Sequence, residues 1–275
     1  MRLSTESSVA VSTTDRTAQS TLWYCIYTAD FVLIPNIAAT DFDATSPGEL
    51  NLALALTLNK NYDVFIWNNA GIPTLALSSA WTNDTSRNDM LSTLKGITVN
   101  STAINSMGAM RGLWIGTIRA SGTNTTEDSA TSRFVWNRYN RTRRYMAKYE
   151  STPQWTYTIA AWRQANATTA NRIQIVTGLN DESIIINVMA VNNSAGNWGS
   201  VGIGIDSTTT NSGASGVSGS NTAVANICKS DYLGNLTIGY HSINWLESIS
   251  GGTVNFYCDT ATLLYLSGIT ANITM

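Results

Sequence analysis

Leucine stands at every second position from 50 to 58, with Asn51, Ala53, Ala55 and Thr57 between. Period two over nine residues predicts a strand with one buried face, because a helix would scatter these leucines around its circumference. A second strand is expected over 62–67. Asn68-Asn-Ala-Gly71 then supplies residues that tolerate positive φ, so the chain is expected to turn and return over 74–77 as a hairpin. Further strands are expected over 21–27, 113–119, 133–140, 155–162, 171–177, 184–191, 201–206, 236–241, 254–258 and 263–266. All are short, rich in Ile, Val, Thr, Trp and Tyr, and bounded by Gly, Asn or Ser. One helix is expected, over 86–94, where Met90, Leu91 and Leu94 make a short apolar stripe.

The pattern therefore predicts an all-β protein built as antiparallel sandwiches or barrels. The polar, turn-forming stretch 120–132 reads as a loop or linker. It divides a smaller β-rich N-terminal attachment domain, 1–125, from a jelly-roll-like β-sandwich domain, 126–275. Residues 192–222 are biased toward Ser, Gly, Asn and Thr, with a long loop expected over 208–222.

Composition narrows the chemistry. Charged side chains make up 12% of 275 residues and there is a single histidine, so the surface must be built largely from Thr, Ser and Asn. Most hydrolytic, transfer and metal chemistry draws on histidine, carboxylates or thiolates. Hydrophobic content of 43% fits a folded globular chain. The apolar runs are too short for a spanning helix, the N-terminus lacks a secretory h-region, and no membrane insertion is expected. Cys25, Cys228 and Cys258 are odd in number and irregularly spaced, which reads as free buried thiols. Seven Asn-x-Thr sequons, Asn83 to Asn272, are expected to follow from Asn/Thr-rich composition, since no secretory leader is read.

The net charge is −2 but unevenly placed: Arg133, Arg138, Arg141, Arg143, Arg144 and Lys148 lie together without an acid among them. Interleaved with Phe134, Trp136, Tyr139, Tyr145 and Tyr149, they suit either nucleic acid or a protein interface. Acidity elsewhere favours the interface. Its candidate residues are Arg133, Trp136, Arg138, Tyr139, Arg141, Arg143 and Arg144. As a strand, 133–140 would present Arg133, Val135, Asn137 and Tyr139 on one face and Phe134, Trp136 and Arg138 on the other.

Other constellations are weaker. Asp41-Phe-Asp43 is a lone carboxylate pair that suits calcium only with further ligands. Gly202-Ile-Gly204 is not followed by helix-forming sequence, which argues against a dinucleotide loop. His241 has Glu247 and Asp231 as candidate partners but no Gly-x-Ser-x-Gly elbow, and reads as a hydrogen-bonded residue at a sheet rim. Asp181, Glu182, Asp231, Glu247 and Asp259 are carboxylates a glycan hydrolase could use, a reading ranked below the others. Of nine tryptophans most sit beside apolar neighbours, as core or interface anchors; Trp198, in Asn197-Trp-Gly199, is the candidate for exposure and glycan contact. No catalytic, cofactor-binding or metal-ligating residue is assigned, and no cofactor is expected.

Arg133-Phe-Val-Trp-Asn-Arg-Tyr-Asn-Arg141, Gln154-Trp-Thr-Tyr-Thr158, Trp162-Arg-Gln-Ala-Asn166, Gly202-Ile-Gly-Ile-Asp-Ser-Thr-Thr209 and Gly239-Tyr-His241 with Trp245-Leu-Glu247 resemble a family of tailed-bacteriophage virion proteins. Lys60-Asn-Tyr-Asp-Val-Phe65 and Ala80-Trp-Thr-Asn-Asp84 match it more loosely. The resemblance implies a β-rich capsid-decorating, head-fibre or tail-associated protein. It would be a homo-oligomer (a trimer is favoured) located in the virion beside capsid, neck or tail proteins. It transfers no catalytic residue. The alternative is a receptor- or carbohydrate-binding module of the tail that meets host surface glycan.

Overall fold

Alternating and fully apolar runs give strands along almost the whole chain. The computed structural model describes residues 1–193, 196–215, 217–220, 226–259, 261 and 266–275. In chain order the first strands are β1 (Arg2–Ser4), β2 (Arg16–Gln19), β3 (Thr21–Cys25), β4 (Val32–Pro35), β5 (Phe42–Thr45), β6 (Leu50–Ala53), β7 (Asn61–Asn69) and β8 (Ile72–Leu77). Next come β9 (Leu91–Leu94), β10 (Ile97–Asn100), β11 (Gly112–Arg119), β12 (Thr126–Asp128), β13 (Ser132–Arg133) and β14 (Val135–Asn137). The second half holds β15 (Arg143–Tyr149), β16 (Gln154–Tyr157), β17 (Arg163–Gln164), β18 (Arg172–Thr177), β19 (Glu182–Asn193) and β20 (Asn197–Ile205). It ends with β21 (Ala214–Ser215), β22 (Val217–Ser220), β23 (Asn226–Leu236), β24 (Gly239–Ile249), β25 (Val254–Tyr257) and β26 (Gly268–Thr274). Among the described residues the one helical element is a 3-10 turn at Ala165–Ala167, and no helix is long and apolar enough to cross a membrane.

The protein is all-β, with two cores. In the first, the sheet β1-β3-β6 faces the sheet β8-β7-β11-β10-β9, to which β14 adds, around Leu3, Leu22, Ile34, Val64, Ile66 and Ile115. In the second, β2-β12-β13-β18-β24-β20-β22 faces β15-β26-β19-β23-β21 around Ile173, Ile186, Ile203, Trp245, Phe256 and Ile269. From β18 to β20, successive strands alternate between these two sheets, and β23 to β24 crosses again, which gives a jelly-roll-like sandwich.

The residues joining the two cores are not a free linker. Thr126 and Asp128 are buried, β12 pairs with β2, β13 runs parallel to β18, and β14 pairs with β11. Thus 126–137 is stitched into sheets of both cores. The single strand expected over 133–140 is split for this reason. Its two pieces belong to different sheets, and both faces of 133–137 are buried, so alternation does not separate an inner from an outer face. Gly178 has no Cβ because the Trp136 ring lies against it, and a Cβ on Gly116 would meet the carbonyl of Trp136.

Other departures have local causes. The leucine run forms a ladder only over Leu50–Ala53. Beyond it Leu54 and Leu56 still point inward, but Leu56 N donates to Asn124 Oδ1 (3.0 Å) rather than to a neighbouring strand. The helix over 86–94 does not form. Leu91–Leu94 pairs with Ile97–Asn100 across Lys95 (φ 48°) and Gly96 (φ 83°), a two-residue turn that a helix cannot contain. The 70–71 turn is of the same kind, with Ala70 and Gly71 at positive φ and Gly71 N donating to Asn68 Oδ1 (2.6 Å). Residues 236–241 span the crossing between the two sheets: Leu236 ends β23 and Gly239, at φ 114°, opens β24. The strand over 155–162 stops at Tyr157, and the loop over 208–222 contains β21 and β22, its residues 216, 221 and 222 lying outside the described residues. Of the strand expected at 263–266, 263–265 lie outside the described residues and Leu266 is in no strand.

Candidate interaction surface

The outward face of the sheet β15-β26-β19-β23 is laid out by its register. Tyr145 pairs with Asn272, Asn272 with Ile185, and Ile185 with Leu233. The next outward row is Ala147, Thr270, Asn187 and Asp231; the third is Tyr149, Gly268, Met189 and Lys229. Alternation puts Met146, Ile184, Ile186 and Val188 in the core and leaves these rows outside. Tyr145 is 49% exposed, Ile185 41% and Leu233 74%. The Tyr149 ring leans across Gly268, whose missing Cβ makes room for it, and the Tyr145 and Tyr149 hydroxyls are 3.1 Å apart. Burial, reinforced by Tyr149, pushes the Tyr145 phenol up to about 12, so it stays a neutral donor. A groove of about 430 Å³ runs between Tyr149, Met189, Lys229, Asp231 and Thr270. Lys229 and Asp231 form no ion pair with another described residue. A face of rigid aromatics and aliphatics, Asn and Thr, with one charge of each sign, has the composition of a protein contact surface.

The seven expected interface residues divide between inside and outside. Trp136 is fully buried and stacks on Trp114 at 5.4 Å. Arg133 and Arg144 are buried on Asp128, at 2.8 and 2.9 Å. These three hold the chain together; Trp136 offers no free surface, and Arg133 and Arg144 show only an edge in a cleft beside β15. Arg138 and Arg141 are half-buried; Arg138 lies over the rings of Trp114 and Tyr139, and Arg141 over Trp136. Tyr139 and Arg143 reach solvent. Tyr139 borders a second apolar cleft of about 230 Å³ with Tyr24, Phe31, Leu33 and Ile97, where Phe31 is 65% exposed. The outward aliphatics Ile185, Met189 and Leu233 are not among the residues that the sequence singles out. Their signal was aliphatic residues on both faces of the long strands.

Trp198 is 57% exposed, as expected, on β20 where it pairs with β22. His241 is buried at a sheet rim, but its partner is Asp206 (Nδ1 to Oδ2 2.8 Å), not Glu247 or Asp231. Glu247 is six residues along the same strand, ~20 Å away at the strand rise, and Asp231 is on β23. His241 Nε2 faces the carbonyl of Thr237 at 2.8 Å. An acceptor at each nitrogen favours the cationic ring. Burial opposes this, but the Asp206 hydrogen bond and the Thr237 carbonyl outweigh it and raise the pKa above 6.5.

The carboxylates considered for hydrolysis are not brought together. Glu247 is sealed in the core, where it accepts from Trp155 Nε1 (2.7 Å), Arg163 Nε (2.8 Å) and Asn166 N (3.1 Å). Asp231 is on the outward face and Asp181 lies 4.0 Å from Arg141. Asp259 stands past the end of β25, and the Glu182 side chain lies outside the described residues. Asp41 is an exposed partner of Lys95 at 2.7 Å, and Asp43 sits on β5. The three cysteines are buried thiols outside any disulfide among the described residues; burial pushes the Cys25 thiol up to about 12.

No family model matches this chain, and no curated protein matches it. Solved structures similar to parts of it include one of Eiger TNF from S. frugiperda, 8% identical with a TM-score of 0.33, covering 49% of this chain and 92% of that one. Another is of the Gx strain of infectious bursal disease virus, 12% identical with a TM-score of 0.25, covering 80% of this chain and 56% of that one. Likenesses this loose carry no argument about function.

Proposed function

We propose that this chain is a structural component of a tailed-phage virion: a non-enzymatic surface protein, on the head or associated with the tail, assembled through contacts with copies of itself and with other virion proteins. The observation that supports it is the outward row Tyr145, Asn272, Ile185 and Leu233, an apolar ridge on a sheet whose strands are otherwise fully covered on their inner side. Four strands spaced ~4.8 Å apart and seven residues long give roughly 450 Å² of flat face, about half of what one partner contributes to a standard stable interface. One such contact is weak alone and calls for a second. The cleft beside Phe31, Leu33 and Tyr139 is a different apolar patch on the same chain. Two unlike patches suit a ring in which each copy's ridge meets its neighbour's cleft, which favours a trimer over a two-fold dimer.

Mass spectrometry of purified virions tests the location, and absence of the polypeptide overturns it. Light scattering on the full chain tests the assembly. A particle of three times 29.7 kDa that falls to 29.7 kDa in Leu233→Glu is expected, and a wild-type monomer at all concentrations contradicts it. A second reading, contact with host surface glycan, rests on the exposed ring of Trp198. Trp198→Ala is then expected to lower host adsorption, and unchanged adsorption removes that reading.

A further inference from the structure

A cleft of about 350 Å³ opens between residues 11–15 and β15, lined by Ser12, Thr14, Arg133, Arg143, Arg144 and Tyr145, with Asp15 at its rim. The charges around it do not balance. Asp128 is the carboxylate shared by Arg133 (2.8 Å) and Arg144 (2.9 Å). Arg2 is buried behind them with only the carbonyls of Ala10 and Asn140 as acceptors. Burial, then the nearby Arg144, lowers Arg2 to about 10. Burial also lowers Arg144, with Asp128 opposing and Arg133 adding to the fall. Arg143 is exposed and makes no ion pair among the described residues. Asp15 directs one oxygen to Ala130 N (2.7 Å). Glu6 adds a third carboxylate, accepting from Ser12 Oγ at 2.6 Å with Arg16 3.9 Å away, so five guanidiniums stand against three carboxylates.

One hydrogen bond is also missing. Arg133 gives Nη1 to Asp128 and Nη2 to the Tyr145 carbonyl, while its buried Nε has no acceptor. A buried charged donor without an acceptor is costly, and an anion relieves both that and the excess of positive charge. We propose that this cleft binds an oxyanion, a phosphate, sulfate or carboxylate group, either free or carried on a saccharide. Arg143 and the Thr14 and Tyr145 hydroxyls supply the outer contacts, the Ser12 hydroxyl being given to Glu6. Arg133 and Arg144, held rigid by Asp128, form the floor.

Calorimetric titration of the full chain at fixed ionic strength tests this, with inorganic phosphate and with a monosulfated disaccharide as probes. Saturable heat is the readout because sulfate and phosphate raise the melting temperature of proteins in general. One site per chain is expected. Arg143→Gln, at an exposed position, is expected to weaken binding roughly three- to fivefold, the range of one solvent-facing ion pair. Lys148→Gln, on the same strand but outside the cleft, should leave it unchanged. A disaccharide that binds much tighter than phosphate assigns the group to a glycan, and equal affinity assigns it to the free ion. Absence of saturable binding by both probes, or equal weakening by the two variants, overturns the proposal.

Discussion

Two buried carboxylates gather indole and guanidinium donors to different degrees: Asp63, on the face of β7 turned away from the first core, and Glu247 within the second. Asp63, in the middle of β7, accepts five hydrogen bonds: Trp81 Nε1 (3.0 Å), Arg87 Nε (2.7 Å) and Nη2 (3.2 Å), Trp114 Nε1 (3.0 Å) and Thr117 Oγ1 (2.7 Å). The Arg87 guanidinium lies 4.6 and 5.0 Å from the rings of Trp81 and Trp114, and its Nη2 also donates to the Gly178 carbonyl of the other core. Glu247 on β24 holds one indole, one guanidinium and one backbone amide, and its Arg163 side chain is 29% exposed. Burial wins there: the Glu247 pKa is raised despite Trp155 and Arg163. The contrast shows what a buried charge needs. Both carboxylates have donors on each oxygen, so the difference lies in their number and burial: Asp63 takes five bonds with Arg87 12% exposed, and Glu247 leans on an Arg163 that is 29% exposed. Asp63 also ties the cores together.

The largest effect is therefore expected at Asp63. Asp63→Asn leaves one acceptor oxygen and turns an NH₂ group toward donors that have nowhere else to point. Arg87 becomes a buried cation without a counterion. Loss of one partner from a buried pair costs about 3–5 kcal/mol, to be read from urea unfolding of full-length protein. Glu247→Gln is expected to cost less, about 1–3 kcal/mol, because fewer donors are orphaned and Arg163 can reach water. If Glu247→Gln proves as damaging as Asp63→Asn, the ranking by donor number and burial is wrong.

A smaller effect sharpens the same contrast. Arg87→Lys keeps the charge but loses the two-pronged contact with Asp63 and the flat packing between two indoles, and is expected to cost about 1–2 kcal/mol. Arg163 lies 3.8 Å over the Tyr157 ring but is part-exposed, so Arg163→Lys should cost under about 1 kcal/mol. Equal losses on thermal or urea unfolding would mean that the tryptophan pair adds nothing to the hold on Arg87.

Much of this architecture was legible. Strands over 62–67, 113–119, 171–177 and 184–191 and the 68–71 turn announce themselves by period two and by Ala70-Gly71. The charged residue in the middle of Tyr62-Asp-Val-Phe65 was a visible signal too, since a carboxylate inside a fully apolar strand must have partners. Which partners was not legible. Trp81, Arg87, Trp114 and Thr117 arrive from turns and from a strand 51 or more residues further on, set by pairing that no local pattern encodes. Arg133 and Arg144 misled for a different reason. Their shared partner Asp128 is only five and sixteen residues back, but an arginine in a strand reads as surface unless the pairing of β12 with β13 is known. Alternation assigns faces only when one face meets water, and at 133–137 neither does.

The smallest expected effects are pH slopes, and here two carboxylates of the same core should behave oppositely. Glu150 accepts from Ser151 N, Thr152 N, Asn166 and Asn171, and these bonds outweigh burial to hold it down to about 2. A depressed acid contributes stability that is present above its unfolded value of 4.5 and lost as pH falls toward 2. Glu247 is raised, so its folded form takes up a proton more readily than the unfolded chain. Its contribution is most favourable below 4.5 and declines as pH rises through the raised folded value. The stability difference between wild type and Glu150→Gln should therefore widen as pH rises from 2 to 4.5. The difference between wild type and Glu247→Gln should narrow as pH rises past 4.5. Urea midpoints measured for the three proteins across this range decide it. Slopes of the same sign would show that Glu247, like Glu150, is held by its donors rather than strained by its burial.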